Sequence, residues 1–246
     1  MSQFPANGDS NPSKPQPVVV AQPSAPVGTN SGPAGIPQCP LGLEYLSAVD
    51  QLLIKQKGEL FEDLSGIETN NKYAIKNILG QGVYMAFGDT DGCARLCYGS
   101  ERPFEIRIVD TSKQEVIHLS RPSACGPCCV ENLEVTAPPG NIVGSIEQEL
   151  TLLSPSFKVK DHLGDTVMRI EGPFSTTSFF GDVDFDIVTL SGTKVGKISK
   201  QWSGLARELF TDADFFGITF PLDLDARTKA VLLGATFLID FMFFES

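Results

Sequence analysis

The side chains best suited to chemistry are the carboxylates between positions 212 and 223. A twelve-residue window there has aspartate at positions 1, 3 and 12 and glycine at position 6. Ca²⁺ takes six to eight oxygen ligands on a flexible loop, where glycine permits a sharp turn. The candidate ligands are the carboxylates of Asp212, Asp214 and Asp223 and the backbone carbonyls of Phe216 and Ile218. The same residues also fit an acidic turn that leads into a strand, and the sequence leaves both interpretations open.

A cysteine cluster, Cys125-Gly-Pro-Cys128-Cys129, is a second candidate site. Clustered cysteines in a cytosolic protein are candidates for reversible palmitoylation, which adds membrane affinity. A zinc site would need Cys93 and Cys97 as well, but 27 residues separate Cys97 from the cluster and no suitably spaced histidine follows. The pattern therefore favours acylation over structural zinc or an inert turn.

A third group is Asp182, Asp184 and Asp186, which alternate with apolar residues. Period-two spacing places all three on one face of a predicted strand. A bound cation would relieve their mutual repulsion, whereas an edge strand uses such charge to discourage aggregation. The pattern favours the solvent-facing edge strand.

The overall charge limits the classes of partner. The net charge of −11 weighs against unaided binding to nucleic acid or anionic lipid, both of which need clustered Lys and Arg. The stretch Gly196–Leu205 has only two lysines, beside the single tryptophan Trp202, which also fits a core position. DNA binding is therefore not expected, and cation-dependent membrane contact is favoured over constitutive contact.

Catalytic patterns are scarce. His118 lies in a strand-like run and His162 in a polar turn, and neither belongs to a recognisable triad. The sequence has no GxSxG, HExxH, P-loop or dinucleotide fingerprint. We therefore do not expect a conventional enzyme.

The elements that would position these residues begin after a proline-rich tail. Residues 1–38 hold eight of the seventeen prolines and only two charged residues, which predicts a disordered segment. Its spacings Pro12–Pro15 and Pro23–Pro26 fit SH3-type partners. No secretory signal or myristoylation motif stands at the start, so we expect a cytosolic N-terminus.

Short alternating segments after Asn70 predict an antiparallel β domain that, with the elements at either end, spans residues 39–246. The predicted strands include Tyr73–Ile78, Val83–Phe87, Phe104–Val109, Val116–Leu119 and Leu133–Val135. Three hairpins, which begin at Phe104, Phe157 and Phe185, share a Phe with a β-branched partner two residues later. The unequal offsets between them favour a closed or nearly closed meander over a propeller.

Two helices are expected at the ends of this domain. Leu43–Gln56 has apolar residues at helical spacing, although Leu52 and Ile54 also fit an extended run. Ala230–Phe244 is apolar apart from Thr236 and Asp240. Fifteen helical residues span about 22 Å against about 30 Å of hydrocarbon, so a helix buried inside the β domain is favoured over a membrane span.

Several stretches together resemble the phospholipid scramblases. They are Gly42-Leu-Glu-Tyr-Leu, Glu68–Tyr73, Ala137-Pro-Pro-Gly140, Gly181–Phe185, Gly196-Lys-Ile-Ser-Lys200 and the C-terminal block that opens at Thr211. The resemblance implies a mainly β, tubby-like antiparallel barrel that encloses the hydrophobic C-terminal helix. It also implies Ca²⁺-dependent, ATP-independent, bidirectional movement of phospholipids between leaflets.

The resemblance further implies sites and a location. Calcium falls on Asp212–Asp223 and palmitoylation on Cys125, Cys128 and Cys129. A nuclear-import-like stretch, which implies an importin partner, falls on Gly196, Lys197, Ile198, Ser199, Lys200, Gln201 and Trp202. The expected location is the plasma membrane, with the N-terminus and barrel cytoplasmic and a possible nuclear pool. Phe215 stands where the family usually has Asn, which leaves one polar group fewer near the ion.

Two function classes follow from these expectations. In the first, calcium neutralises the three aspartates and lets Phe215, Phe216 and Phe220 approach lipid, so that the protein scrambles phospholipids. A barrel filled by a helix, however, has no evident hydrophilic groove for headgroups. The alternative is a lipid-tethered adaptor or regulatory protein that recruits partners through its Pro-rich tail.

Overall fold

The computed structural model describes residues 39–57, 71–89, 103–123, 132–174, 183–201 and 215–244. The chain divides into two units, Met1–Pro37 and Gln38–Ser246, and the described residues all belong to the second. The prediction of a disordered tail concerns residues outside these ranges.

Twelve antiparallel strands form a closed barrel in which each strand pairs with its neighbour in the sequence and the last pairs with the first. The strands are β1 Gln51–Lys57, β2 Asn71–Lys76, β3 Gly82–Asp89, β4 Phe104–Val109, β5 Glu115–Arg121, β6 Asn132–Thr136, β7 Ile142–Glu149, β8 Ser156–Asp161, β9 Thr166–Glu171, β10 Val183–Thr189, β11 Lys194–Gln201 and β12 Phe215–Thr219. Closure leaves the described sheet without an edge strand. The predicted closed β meander is confirmed.

The hairpin turn between β8 and β9 is held by hydrogen bonds from backbone N–H groups to a side chain. The Asp161 carboxylate accepts hydrogen bonds from the backbone N–H groups of Leu163 and Asp165 at 2.9 and 3.0 Å. Gly164 then adopts φ +86°, a conformation that glycine reaches without steric cost. Turns of this kind fix the register of the strands that they join.

A long helix fills the barrel. After the one-turn helix α1 (Glu44–Ser47), the only other described helix is α2 (Ala226–Phe243), which begins at the N-cap residue Asp225. Every residue from Lys229 to Phe241 is buried. The wall strand β7 approaches the helix closely at Gly144, where an added Cβ would lie 2.7 Å from a Val231 methyl carbon. The core position predicted for Ala230–Phe244 is therefore confirmed.

Among the described residues, no helix combines the length and apolarity needed to cross a membrane.

Two predictions about local structure are wrong. The helix predicted for Leu43–Gln56 stops at Ser47, and Gln51–Lys57 is strand β1. Its pairing with β2 and β12 closes the barrel, which outweighs the local helical pattern. The strand that carries Asp184 and Asp186 is not an edge strand, because β10 pairs with both β9 and β11.

The meander gives the barrel two different ends. At one, here called the turn end, residues 77–81, 110–114, 137–141, 162–165 and 190–193 form short hairpin turns, and 220–225 lead into α2. At the other, here called the loop end, the chain passes between strands through 58–70, 90–103, 122–131, 150–155, 172–182 and 202–214. Because neighbouring strands are antiparallel, alternate connections must lie at opposite ends. Helix α2 runs from the turn end to the loop end, where Phe243 lies 5.7 Å from Phe185 between ring centroids.

Candidate functional site

The structure describes only part of the predicted calcium loop. Phe216 and Ile218 lie in β12, where Phe216 pairs with Ile54 and Lys200 on the two flanking strands. Asp223 is exposed in the turn after that strand. Asp212 and Asp214 lie outside the described residues.

Strand β12 separates the two halves of the predicted loop. Its five residues extend over about 13 Å at the usual rise per residue. Asp214 directly precedes the strand at the loop end, and Asp223 follows it at the turn end. A calcium ligand lies only about 2.3–2.6 Å from its ion, so an ion bound at Asp223 would not reach Phe215 at the start of the strand. In the described ranges no three His, Cys, Asp or Glu side chains form a group suited to a metal.

The phenylalanines expected to approach lipid lie inside the folded domain. Phe215, Phe216 and Phe220 are each at most 6% exposed. Phe216 and Phe220 belong to the main core, and Phe215 packs with Leu53 in a smaller cluster. In the closed barrel these rings are therefore buried, and an approach to lipid would require this part of the barrel to open.

The basic stretch Gly196–Trp202 is mostly strand β11, paired with β10 and β12. The Lys197 ammonium lies 2.9 Å from the Asp184 carboxylate. Ile198, Ser199 and Lys200 are buried, and the Lys200 ammonium stacks 4.5 Å from the centre of the Phe244 ring. The folded domain therefore does not present this stretch as an extended basic segment.

Gly196 is half-buried and Gln201 ends β11. Trp202 lies outside the described ranges, as do the predicted acylation sites Cys125, Cys128 and Cys129 and the first member of the 182–186 aspartate group. Asp186, its last member, lies 2.5 Å from the Lys194 ammonium. In the described part of this group the aspartates thus face lysines of the neighbouring strand.

The turn end contains a buried lysine that the sequence patterns did not indicate. Lys229, in the first turn of α2, is fully buried. Its ammonium donates to the carbonyl oxygens of Leu46, Val49 and Leu222 at 3.0, 2.7 and 2.8 Å. Burial lowers the pKa of Lys229, and Asp50 and Asp223 oppose that shift. Because only the protonated amine has three N–H donors, these contacts hold the charged form.

His118 lies between two carboxylates on the outer wall. Its Nδ1 is 2.7 Å from Glu115 Oε1 and its Nε2 is 2.5 Å from Glu105 Oε2. Each ring nitrogen faces a carboxylate, which only accepts hydrogen bonds. Both nitrogens must therefore carry a proton, which is the imidazolium form. Partial burial alone would lower the pKa of His118, but the hydrogen bonds to Glu115 and Glu105 outweigh it and raise the pKa.

We predict that His118 makes stability pH-dependent above the ordinary histidine pKa of about 6.5. Since the folded-state pKa is raised, the stabilisation is fully present below that value and is lost as pH rises through the folded pKa. We expect a loss below about 1 kcal/mol, because the site is partly exposed. Urea unfolding of wild type and His118→Gln between about pH 5 and pH 9 tests this. Parallel stability curves for the two proteins would contradict it.

A small polar cavity lies near the loop end of the helix. It has a volume of about 50 Å³ and is lined by residues that include Tyr73, Lys200, Phe216, Asp240 and Phe244. Lys200 and Asp240 are the charged residues of its lining, and both are buried. The cavity holds a few water molecules at most and is far smaller than a phospholipid.

Comparison with known proteins gives a consistent result. The chain matches the family model described as Scramblase over residues 30–246. It is 53% identical to phospholipid scramblase 1 of Homo sapiens over 229 residues, which cover 87% of this chain and 72% of that protein. It is 52% identical to phospholipid scramblase 2 of Bos taurus over 234 residues, 92% of this chain and 80% of that protein. No solved structure matches the chain.

Proposed function

The chain belongs to the scramblase family, and from that premise we propose that it moves phospholipids between the two leaflets of a membrane. The observation that carries the proposal is the match with relatives whose names state this activity, over 87% and 92% of the chain. We further propose that this movement proceeds without ATP, which reconstitution without added ATP tests.

The filled barrel constrains where lipid can move. Helix α2 occupies the interior from the turn end to the loop end, and all its residues between Lys229 and Phe241 are buried. A headgroup that crosses the interior would have to displace this core. We therefore place lipid movement at the outer surface of the domain, where it meets and disturbs the bilayer.

Reconstitution tests the activity directly. Purified protein is incorporated into vesicles that carry a fluorescent phospholipid, and dithionite bleaches the lipid exposed in the outer leaflet. Scrambling brings inner-leaflet lipid to the dithionite, so the bleached fraction rises above that of protein-free vesicles without added ATP. Folded, inserted protein that leaves the bleached fraction at the protein-free level, with and without calcium, would contradict scrambling.

We propose in addition that Ca²⁺ regulates the activity through the carboxylates that precede β12. Asp212 and Asp214 are spaced to bind one ion together, and β12 separates Asp223 from them. The described residues supply only Asp223 of the predicted carboxylates, so we assign no ligand geometry. The carbonyls of Phe216 and Ile218 belong to a strand paired on both sides.

The calcium prediction is that Asp212→Ala/Asp214→Ala raises the Ca²⁺ concentration for half-maximal scrambling by about tenfold or more, since carboxylate ligands set calcium affinity. Asp223→Ala, at the other end of β12, should shift it by less than about twofold. Titration of the dithionite assay with buffered Ca²⁺ measures both. An equal shift for both variants would show that all three aspartates act as one site. It would contradict a calcium site that includes Asp212 and Asp214 but not Asp223.

Acylation and location complete the proposal. The connection 122–131, which contains the three cysteines, joins strands β5 and β6 at the loop end. Palmitate on Cys125, Cys128 and Cys129 would therefore hold that end towards the cytoplasmic face of the plasma membrane. Loss of palmitate labelling in the triple Cys→Ser variant tests the sites. We do not propose importin binding for the folded domain, because residues 196–201 of this stretch would first have to leave the barrel wall.

The second candidate function is a lipid-tethered adaptor without transport activity. The filled interior favours it, because every residue of α2 from Lys229 to Phe241 is buried inside the barrel. The adaptor would bind SH3-type partners through the tail. Deletion of residues 1–38 should then abolish partner pull-down, while the dithionite assay stays at the protein-free level.

A further inference from the structure

One side of the barrel has apolar residues on its outer surface. Four of them are each at most 7% exposed and do not belong to the core inside the barrel: Leu53 in β1, Ala74 in β2, Phe87 in β3 and Phe215 in β12. Phe216, which follows Phe215, does belong to that core, and side chains alternate along a strand. The four side chains therefore point out of the barrel, and we name them the outer apolar face.

The outer apolar face is continuous and lies towards the loop end. Strands β3, β2, β1 and β12 are consecutive in the barrel. Phe215 and Ala74 both pair with Lys55, and Leu53 packs on Phe215. Phe87 lies in β3, two residues before that strand ends at the loop end. One segment placed over these strands from the loop end could therefore contact all four side chains.

The described elements do not account for the burial of this face. Helix α2 lies inside the barrel, and α1 packs on α2. Side chains of the wall itself do not cover Leu53 from both sides, because one of its partners is Gly217, which has no side chain and is itself buried. The face is buried within a single chain, so its cover is another part of the same chain.

The charge of these strands indicates what kind of segment fits. Strands β12, β1 and β2 contain no Asp or Glu and four lysines: Lys55, Lys57, Lys72 and Lys76. On the other side of the barrel, lysines face carboxylates of the neighbouring strand, as Lys197 does with Asp184 at 2.9 Å. A segment that suits the outer apolar face therefore combines apolar residues with carboxylates.

The connection 58–70, between β1 and β2, has this composition. It reads Gly-Glu-Leu-Phe-Glu-Asp-Leu-Ser-Gly-Ile-Glu-Thr-Asn, with four carboxylates and no basic residue. Its apolar residues recur at i, i+1, i+4 and i+7, a spacing that gathers them on one side of a helical segment. The lysines of β1 and β2 and the carboxylates of this connection thus complement each other.

The connection also has the length to reach the face. Lys57 pairs with Lys72, so the segment starts and ends side by side on this wall. About two to five residues suffice to join paired strands, whereas this connection has thirteen. Leu53 lies about 13 Å along the strand from Lys57, and about six extended residues span roughly 20 Å. The excess chain can therefore fold back over the outer apolar face and return.

We propose that residues 58–70 fold back from the loop end and dock on the outer apolar face. Their four apolar residues contact its side chains, and their carboxylates lie near the lysines of β1 and β2: Leu60, Phe61, Leu64 and Ile67, with Glu59, Glu62, Asp63 and Glu68. The docked segment removes this apolar part of the wall from the outer surface that lipid can reach. The inference does not depend on the proposed function and holds whether or not the protein scrambles lipid.

The rival segment is the connection 202–214, which joins β11 to β12. It also contains apolar residues, but it has Arg207 beside three carboxylates. It starts from β11, where Lys197 already faces Asp184 on β10. Its charge is therefore the poorer complement of the four lysines.

The test measures the reactivity of a thiol placed on the outer apolar face. In the full chain with its six cysteines replaced by serine, Leu53→Cys is labelled with a maleimide. Leu60→Ser/Phe61→Ser/Leu64→Ser/Ile67→Ser should raise the labelling rate by about tenfold or more, because a covered thiol reacts only while its cover is open. Circular dichroism establishes that the labelled proteins are folded.

The matched control thiol is Val188→Cys on the other side of the barrel. Val188 is 5% exposed and, like Leu53, points outward from the wall and lies outside the core. Its labelling rate should change by less than about twofold in the 58–70 variant. An equal rise at both positions, or no rise at position 53, would overturn the inference.

The rival is tested by Leu205→Ser/Leu209→Ser/Phe210→Ser. This variant should change the labelling rate at position 53 by less than about twofold. A larger rise than the 58–70 variant gives would assign the cover to residues 202–214 and refute the proposal.

A second measurement leaves the apolar residues of the segment in place, so it decides the question even where the serine variant does not fold. The photoreactive p-benzoylphenylalanine replaces Phe61, and mass spectrometry locates its cross-links after irradiation. Links to peptides that contain Phe87 or Phe215 are expected, since both lie far from position 61 in the sequence. Links confined to strands β7 to β10, or no link to β3 or β12, would refute the docking.

Discussion

Replacement of Lys229 by methionine should lower the free energy of unfolding by about 3–5 kcal/mol, a large part of the stability of a typical domain. Methionine fills a similar volume but donates no hydrogen bond. The carbonyls of Leu46, Val49 and Leu222, now 2.7–3.0 Å from the ammonium, would be left without that donor. Urea unfolding followed by circular dichroism measures the loss.

The matched control is Lys194→Met. Lys194 also contacts a partner closely, at 2.5 Å from Asp186, but its side chain is 53% exposed. An exposed ion pair contributes at most about 1 kcal/mol, so this variant should unfold almost as wild type does. Equal losses of unfolding free energy in Lys229→Met and Lys194→Met would show that the three carbonyl contacts stabilise the fold no more than an exposed ion pair does.

The second large effect is expected at the other end of the same helix. Phe241→Ala should lower the free energy of unfolding by about 3–5 kcal/mol, because it leaves a cavity in a closed core. Phe241 is fully buried, and its ring centroid lies 4.4 Å from that of Phe104 in β4. Thermal or urea unfolding without lipid measures the change.

Phe174→Ala provides the control, since Phe174 is 79% exposed and its removal should change stability by less than about 0.5 kcal/mol. The comparison also separates two roles of α2. A helix that served only as a membrane anchor would contribute nothing to unfolding in detergent-free buffer. An unchanged midpoint for Phe241→Ala would therefore contradict the core position of the helix.

Local sequence patterns predict much of the barrel wall. Phe104–Val109 is a strand with the predicted bounds, and the hairpins that begin near Phe157 and Phe185 are present as β8–β9 and β10–β11. In these segments period-two burial and the turn residues point to the same structure. Strand β1 was misassigned because its apolar residues fit both periods. Its conformation is decided by pairing with β12, more than 150 residues away in the chain.

The candidate site was less predictable because it too depends on contacts between residues that are far apart in the sequence. Residue types suggest calcium ligands at 212–223, but a strand at Phe215–Thr219 depends on its partners β1 and β11. Lys229 was not recognised because its carbonyl acceptors at Leu46 and Val49 lie at the opposite end of the sequence. The exposure of Leu152 and Leu153 was likewise not recognised, since leucines look like core residues until their exposure is known.

The pairing of β1 with β12 has a consequence for biosynthesis. The first strand leaves the ribosome early, yet its partner at Phe215–Thr219 and the helix that fills the core come last. Until then the growing wall has two open edges and an apolar inner face with nothing to cover it. Non-local closure of this kind is slow and exposes the chain to aggregation. Chaperones that bind apolar strands should therefore hold the nascent chain until residues 226–243 have emerged, and the domain then folds as one unit.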